Sequence, residues 1–407
     1  MADRPIKAGV EVDSCRVVGA MTNQILLKQH PNTPQAEKAI ARHPRHRLLN
    51  LVSMIMIGIG IFLRVVQFVA NRSLWADEAK LSLNIVDRSY LELTHVLDYN
   101  QIAPVGFLWI EKLATQVFGN TDLALRVFPF LASLASLVLV YQIARRYLNP
   151  VAVPIAIALL ALHAREIYYS SEVKQYSSDV MVGLLLVSVV YSTSPQLTKR
   201  QMLLFSGIGA IAVWLSHPSI FILASLATAY VVAQLVQASR FKKPLQLTTW
   251  IPVYGVWALS FLAFYVLSVG ENSGNDTLLT SWASRRAFPT SFPDLDWLFY
   301  SLKRLFVKPL DFPRPFFDQV AMVACLVGII SLCRQTIKAA LVLLLPLGMT
   351  LAAAYLYKYP FYSRVILFLV PFMLLLMAEG IAWLITLRVA IPKLSTRWTR
   401  FSASFLG

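Results

Sequence analysis

The chain has 407 residues, 57% of them hydrophobic and 14% charged, and a mean hydropathy of +0.60. That is more apolar surface than a soluble core can hide, which excludes an ordinary soluble domain and makes lipid the main solvent. The net charge of +16 comes with no basic helix or nucleic-acid motif. In a membrane protein it reads instead as topology, because Lys and Arg collect on the cytoplasmic side.

The stretch before the first apolar run is polar and basic and ends in RHPRHR, and residues 1–46 are expected to form a mostly disordered cytoplasmic tail. From Leu48 onward the apolar residues come in runs of roughly 17 to 25, long enough for helices to cross a hydrocarbon core. They do not alternate with polar residues, so a transmembrane barrel is excluded. The runs predict spans at Leu48–Ala70, Leu123–Tyr147, Val151–His163, Tyr176–Tyr191, Met202–His217, Pro218–Ala238, Trp250–Val269, Phe317–Cys333, Ile337–Tyr355 and Val365–Leu387. The expected fold is an all-α polytopic membrane protein of about ten transmembrane helices over residues 47–388, followed by a basic cytoplasmic tail at 389–407. The third and fourth spans are short, and the polar stretch EIYYSSEVKQYSSD between them points toward a site. Arg64 lies near the outer end of the first span, where its stem can snorkel. Glu379 lies well inside the last span and should face other helices or a cavity.

Two connections are long, 71–122 and 270–316, and both are expected on the outer face. The first should hold short helical pieces, including the Pro-initiated stretch PVGFLWIEKLATQVFG, read as interfacial. Basic clusters at Arg145, Lys199, Arg240 and Lys338 mark the connections of the opposite side, which places both termini in the cytoplasm. Of the 21 Asp and Glu residues, four lie in the N-terminal tail, one is Glu379, and sixteen fall on the outer side. Acids contribute little to topogenesis, so chemistry on the outer face is one explanation for that surplus. The three cysteines, Cys15, Cys325 and Cys333, have no metal-ligand spacing.

Three motifs can carry chemistry. In WADEA, Asp77 and Glu78 follow the first span closely and can share acid and base roles or hold a divalent cation; the alternative is that they cap a helix. In SSEVKQY, Glu172 and Lys174 sit near the membrane surface, where a plain interfacial ion pair is the alternative. In YKYPFYSR, Lys358 and Arg364 can meet a lipid phosphate, or the tyrosines can simply form an aromatic belt. His217, and Arg285 with Arg286, are weaker signals.

Together these pieces resemble the GT-C superfamily of membrane glycosyltransferases, in the branch of protein O-mannosyltransferases and lipid A aminoarabinose transferases. The resemblance runs through LWADEA, PVGFLWIEKLATQVFG, LALRVFPFLASL, YYSSEVKQYSSD and YPFYSRVILFLVP in that order. The pattern departs at Ala103-Pro104, where two prolines are frequent, and at Lys174, where Arg is common. The resemblance implies transfer of a sugar from a polyprenyl-phosphate donor to an acceptor hydroxyl on the extracytoplasmic face of the cell membrane, by inverting displacement. It assigns Asp77 as the catalytic base, leaves Glu78 and Glu172 to orient substrate or hold an optional divalent cation, and gives Lys174, Arg364 and Lys358 to the donor phosphate. His217, Tyr176 and Arg126 are further candidates. A lipid, a glycan or a protein can each serve as acceptor, and nucleic acid is not an expected partner. A membrane transporter or lipid flippase is the alternative, since it too can use intramembrane charges such as Glu379 and Arg64.

Overall fold

The structure is a computed structural model that describes residues 44–190, 197–242, 248–269, 276–313 and 315–403. The expected disorder of the N-terminal tail falls outside the described residues up to position 43, as does Cys15, whereas residues 44–46 of that tail are helical. The chain divides into two units, residues 1–52 and 53–407. In the first, residues 44–52 are the opening turns of helix α1 (Pro44–Val69). Everything below concerns the second.

Every regular element among the described residues is a helix. After α1 come α2 (Ala76–Asp87), two short 3₁₀ turns, and α3 (Val105–Phe118). Pro104 stands directly before α3, where its missing N–H costs nothing, and Gly119 ends it at φ +87°, a conformation other residues rarely adopt. Trp109, Leu113 and Val117, four residues apart, form an exposed apolar stripe on α3, opposite buried Phe107 and Leu108, as an interfacial helix requires. The chain continues through α4 (Val127–Tyr147), α5 (Ala152–Ala161), α6 (Ala164–Tyr169), α7 (Tyr176–Val190), α8 (Lys199–Leu215), α9 (Ser219–Phe241) and α10 (Ile251–Phe264). The second long connection holds α11 (Asp276–Ser284) and α12 (Leu295–Val307), and α13 (Phe317–Gln335), α14 (Ile337–Tyr355) and α15 (Val370–Ala403) complete the order.

Among the described residues, seven helical segments are long and apolar enough to cross a membrane: α1, α4, α9, α10 together with the helical turns that flank it (Thr248–Leu267), α13, α14 and α15. The other three expected spans are helices of 10, 15 and 17 residues, namely α5, α7 and α8. Such short pieces beside a polar stretch leave irregular backbone at membrane depth, which is tolerated only where protein buries it.

Helix α15 forms the centre, with Val370–Ala378 almost entirely buried. It meets α13 through small residues: a Cβ on Gly328 would lie 1.8 Å from the Leu376 carbonyl oxygen, and one on Gly380 would lie 2.0 Å from that of Ala324. In lipid, helices gain little hydrophobic drive from one another, so backbone contact this close supplies the association through dispersion. Helix α1, by contrast, leaves Phe62, Val66 and Val69 exposed, as a lipid-facing helix would.

The intramembrane charges follow two patterns. Glu379 faces other helices, where its carboxylate accepts from the Asn149 N–H at 2.8 Å, Ser331 Oγ at 2.9 Å and Gln335 Nε2 at 2.7 Å. Arg64 does not snorkel. It is fully buried, donating from Nε to Ser133 Oγ at 2.7 Å and from its terminal nitrogens to the carbonyls of Gly60, Ala161 and Leu160. The backbone where α5 ends supplies acceptors that the solvated interface would otherwise provide.

Candidate active site

Helix α2 begins within a few residues of the end of α1, and its first turn carries Asp77 and Glu78, where acids complement the helix dipole. Successive helical residues diverge by about 100°, so the two carboxylates face different surroundings. Glu78 turns inward and is fully buried. One of its oxygens takes Arg72 Nη1 at 2.8 Å and the Trp75 N–H at 3.3 Å, and the other takes the Val173 N–H at 2.9 Å with Arg126 Nη2 at 3.7 Å. Arg126 is itself buried and donates to Asn71 Oδ1 at 3.0 Å. Glu78 and Arg126 thus tie the start of α2 to the start of α4 and to the SSEVKQY turn. That is the capping alternative for Glu78, extended into a buried network.

Asp77 faces outward onto a cavity of about 470 Å³ lined by Trp75, Asp77, Lys80, Tyr169, Trp282, Arg285, Tyr362 and Arg364, among others. Its Oδ2 takes Arg364 Nη2 at 2.7 Å and Lys174 Nζ at 3.3 Å, and its Oδ1 accepts from Gln101 Nε2 at 3.3 Å. Burial opposes ionisation of Asp77, but Lys174 and Arg364 outweigh it and hold the carboxyl below its ordinary range. Burial pushes the Lys174 ammonium down, with Asp77 opposing.

Arg364 lies just past Ser363, which has φ +43°, in the 3₁₀ turn that opens α15. Its guanidinium sits 5.0 Å from the Trp75 ring centroid and 5.7 Å from that of Tyr176. Tyr176, buried, lies beneath Arg364 and meets Tyr169 edge-on at 5.2 Å.

A tight turn in which the Lys174 N–H reaches the Glu172 carbonyl at 2.7 Å sends the two side chains to different partners. The expected Glu172–Lys174 pair is therefore replaced by Lys174 with Asp77 and Gln101. Glu172 is fully buried; Oε1 accepts from Trp75 Nε1 at 3.2 Å, and Oε2 has no hydrogen-bond donor. Burial, with Glu78 next, pushes its carboxyl up to about 7.

The second long connection packs over this region. The Phe361 N–H donates to the Ala287 carbonyl at 3.0 Å, Tyr355 OH to that of Asp294 at 2.8 Å, and Arg304 Nη2 to Tyr362 OH at 2.6 Å. These contacts bring Trp282 and Arg285 to the cavity wall, with Arg285 5.6 Å from the Trp282 ring centroid.

Asp77, Lys174 and Arg364 are thus brought together, with Glu172 and Tyr176 behind them. Lys358 is exposed and does not line the cavity. His217 lies between α8 and α9, 5.5 Å from the Phe264 ring, also away from the cavity. Lys80 and Gln101 escaped the sequence reading. Lys80 was legible as the residue three after Asp77 on the same helix face. Gln101 had no signal, being a neutral side chain in a polar loop.

The three carboxylates offered as divalent-cation ligands do not fit one. Asp77 is engaged by two cations, Glu78 by Arg72, and Glu172 by Trp75. Among the described residues no three His, Cys, Asp or Glu side chains converge as metal ligands.

Comparisons with known proteins agree with this architecture. A family model described as dolichyl-phosphate-mannose-protein mannosyltransferase matches residues 103–266, a stretch that contains Arg126, Glu172, Lys174 and Tyr176 and stops short of Asp77 and Arg364. The crystal structure of ArnT from Cupriavidus metallidurans bound to undecaprenyl phosphate superposes with a TM-score of 0.53 at 12% identity, over 81% of this chain and 59% of that one. Its apo form gives 0.50 at the same identity and coverage. The archaeal oligosaccharyltransferase AglB from Archaeoglobus fulgidus gives 0.44 at 15% identity, over 86% of this chain and 52% of that one. The chain therefore spans less than two thirds of the length of these neighbours. No curated protein matches the sequence. The chain thus shares its fold with ArnT, that of an all-α multi-pass membrane protein.

Proposed function

We propose that this chain is a glycosyltransferase that moves a sugar from a polyprenyl-phosphate donor to an acceptor hydroxyl at the cavity of Asp77. The observation that carries the reading is the Asp77 carboxylate on a cavity wall beside Lys174 and Arg364, with Lys80 and Arg285 also on that wall. A donor phosphate suits those cations, and the aromatic rings of Trp75, Trp282 and Tyr362 suit the faces of a sugar.

In the reaction, the acceptor oxygen attacks the anomeric carbon while the bond from that carbon to the phosphate oxygen breaks, inverting the configuration. The hydroxyl proton passes to Asp77, and polyprenyl phosphate leaves with one more negative charge than the diester had, which the cations stabilise. In the unliganded site Asp77 is a weak base, because the same cations hold it ionised. A bound phosphate competes for Arg364 and Lys174, relieves that depression and raises the basicity of Asp77 when it is needed.

The site lies on the extracytoplasmic side of the cell membrane and both termini lie in the cytoplasm, on the grounds of the basic connections at Arg145, Arg146, Lys199 and Arg200. Transport is less well served, because the charges it would use, Arg64 and Glu379, are engaged within the helix bundle. The test is to supply purified protein in lipid nanodiscs with a panel of polyprenyl-phosphate sugars and acceptors and to measure release of polyprenyl phosphate. Release that requires acceptor supports the reading; no release from any donor overturns it. Cysteine labelling that placed positions 77 and 145 on one side would overturn the orientation.

A further inference from the structure

The segment between α2 and α3 is fastened before it reaches the site. Asn84 Oδ1 accepts from the Asp98 N–H at 2.8 Å, and Arg88 pairs with the Asp98 carboxylate at 2.9 Å. The next two residues, Tyr99 and Asn100, both take left-handed backbone conformations, φ +61° and +53°, without being glycine. Consecutive residues of this kind persist only where their surroundings hold them, and they concentrate at functional sites. The result of the double turn is to point Gln101 inward, where it is 7% exposed.

There both the nitrogen and the oxygen of the Gln101 amide are engaged. Nε2 donates to Asp77 Oδ1 at 3.3 Å and to the Tyr99 carbonyl at 3.2 Å, and Oε1 accepts from Lys174 Nζ at 2.5 Å. A neutral amide offers donors and an acceptor at the same end, so it can serve an anion and a cation together. A Glu here would accept from Lys174 and repel Asp77, and a Lys would do the reverse. The other titratable groups around Asp77 are Lys174 and Arg364, which pair with it directly, Lys80 on the same cavity wall, and Tyr176 and Glu172 behind Arg364.

We propose that Gln101 is a positioning residue for the sugar transfer: it sets the rotation of the Asp77 carboxylate and holds the Lys174 ammonium beside it. With Oδ1 held by the amide, Oδ2 is the oxygen left to the two cations. The inference rests on the glycosyltransferase reading for its role in turnover, but the contact itself does not.

The experiment uses the full chain in lipid nanodiscs, wild type against Gln101→Leu and Gln101→Glu. Turnover of a polyprenyl-phosphate hexose gives kcat and KM. The Asp77 carboxylate band, isolated in the infrared by subtracting the Asp77→Asn spectrum, is followed across pH and needs no turnover. Gln101→Leu removes the bond to Asp77 and should lower kcat about tenfold with a smaller change in donor KM. The midpoint of the Asp77 band should rise in Gln101→Leu and rise further in the shape-preserving Gln101→Glu, which adds a like charge. Wild-type kcat and an unmoved midpoint in Gln101→Leu would overturn the assignment, as would equal loss of kcat in both variants with an unmoved midpoint. If the wild type turns over no donor, the glycosyltransferase reading fails, and the band midpoint still decides whether Gln101 positions Asp77.

Discussion

Glu379 and Asp77 are both carboxyl side chains, the first fully buried and the second 23% exposed, and they keep different company. Around Glu379 the partners are neutral, a backbone N–H, a hydroxyl and an amide, and the group is sealed between α13 and α15. Around Asp77 the partners include two cations, and one side of the group opens to a cavity. A carboxyl group saturated by neutral donors in a closed place serves packing, since nothing can arrive to change its partners. A carboxylate paired with cations at an open wall can yield them to a ligand's anion.

That contrast should break most visibly at Asp77. Asp77→Asn should cut turnover by about 10²- to 10⁴-fold while leaving undecaprenyl phosphate binding intact or tighter, because the variant frees Arg364 and Lys174. Steady-state kinetics and a direct binding isotherm check it, and a collapse in Glu78→Gln alone would show that the wrong carboxylate had been chosen. Arg364→Ala should weaken undecaprenyl phosphate binding roughly 10- to 100-fold, with partial recovery in Arg364→Lys, since an ammonium lacks the bidentate guanidinium contact.

Glu379→Ala should act on stability instead. Removing the acceptor shared by buried Ser331 and by the part-buried Asn149 N–H and Gln335 amide should cost about 1 to 3 kcal/mol, read as a lowered unfolding midpoint in detergent with donor binding per folded molecule unchanged.

Glu172 sharpens the comparison from within the site. The folded chain keeps its proton up to about pH 7, whereas an unfolded chain releases it near 4.5, so the folded state binds more protons between those limits. Stability should therefore fall as pH rises across that window, and Glu172→Gln should flatten the slope in melting curves. The smallest effect is expected at the outer wall: Trp282→Ala should raise acceptor KM roughly two- to tenfold with little change in kcat.

Much of this was legible in the sequence because lipid imposes simple lengths and because WADEA, SSEVKQY and YPFYSR stand out from their apolar surroundings. The irregular helices were legible too: the apolar counts at 151–163 and 176–191 fell short, and α5 and α7 are short. What the sequence did not carry was which neighbour each polar group meets. Arg64 reads as a snorkelling residue until α5 ends beside it and offers two carbonyls. Glu78 and Asp77 read alike until the helix sends one to Arg72 and the other to Arg364. Lys358 and Arg364 read as a pair until only Arg364 reaches the cavity wall and Lys358 stays exposed away from it.

The central claim is tested most directly by the position of the phosphate in an experimental structure of the protein with undecaprenyl phosphate. The account predicts phosphate oxygens roughly 2.7 to 2.9 Å from the Arg364 guanidinium, inside the Asp77 cavity, with the Arg364–Asp77 contact lengthened or broken. A phosphate bound elsewhere, with the Arg364–Asp77 pair unchanged, would contradict it.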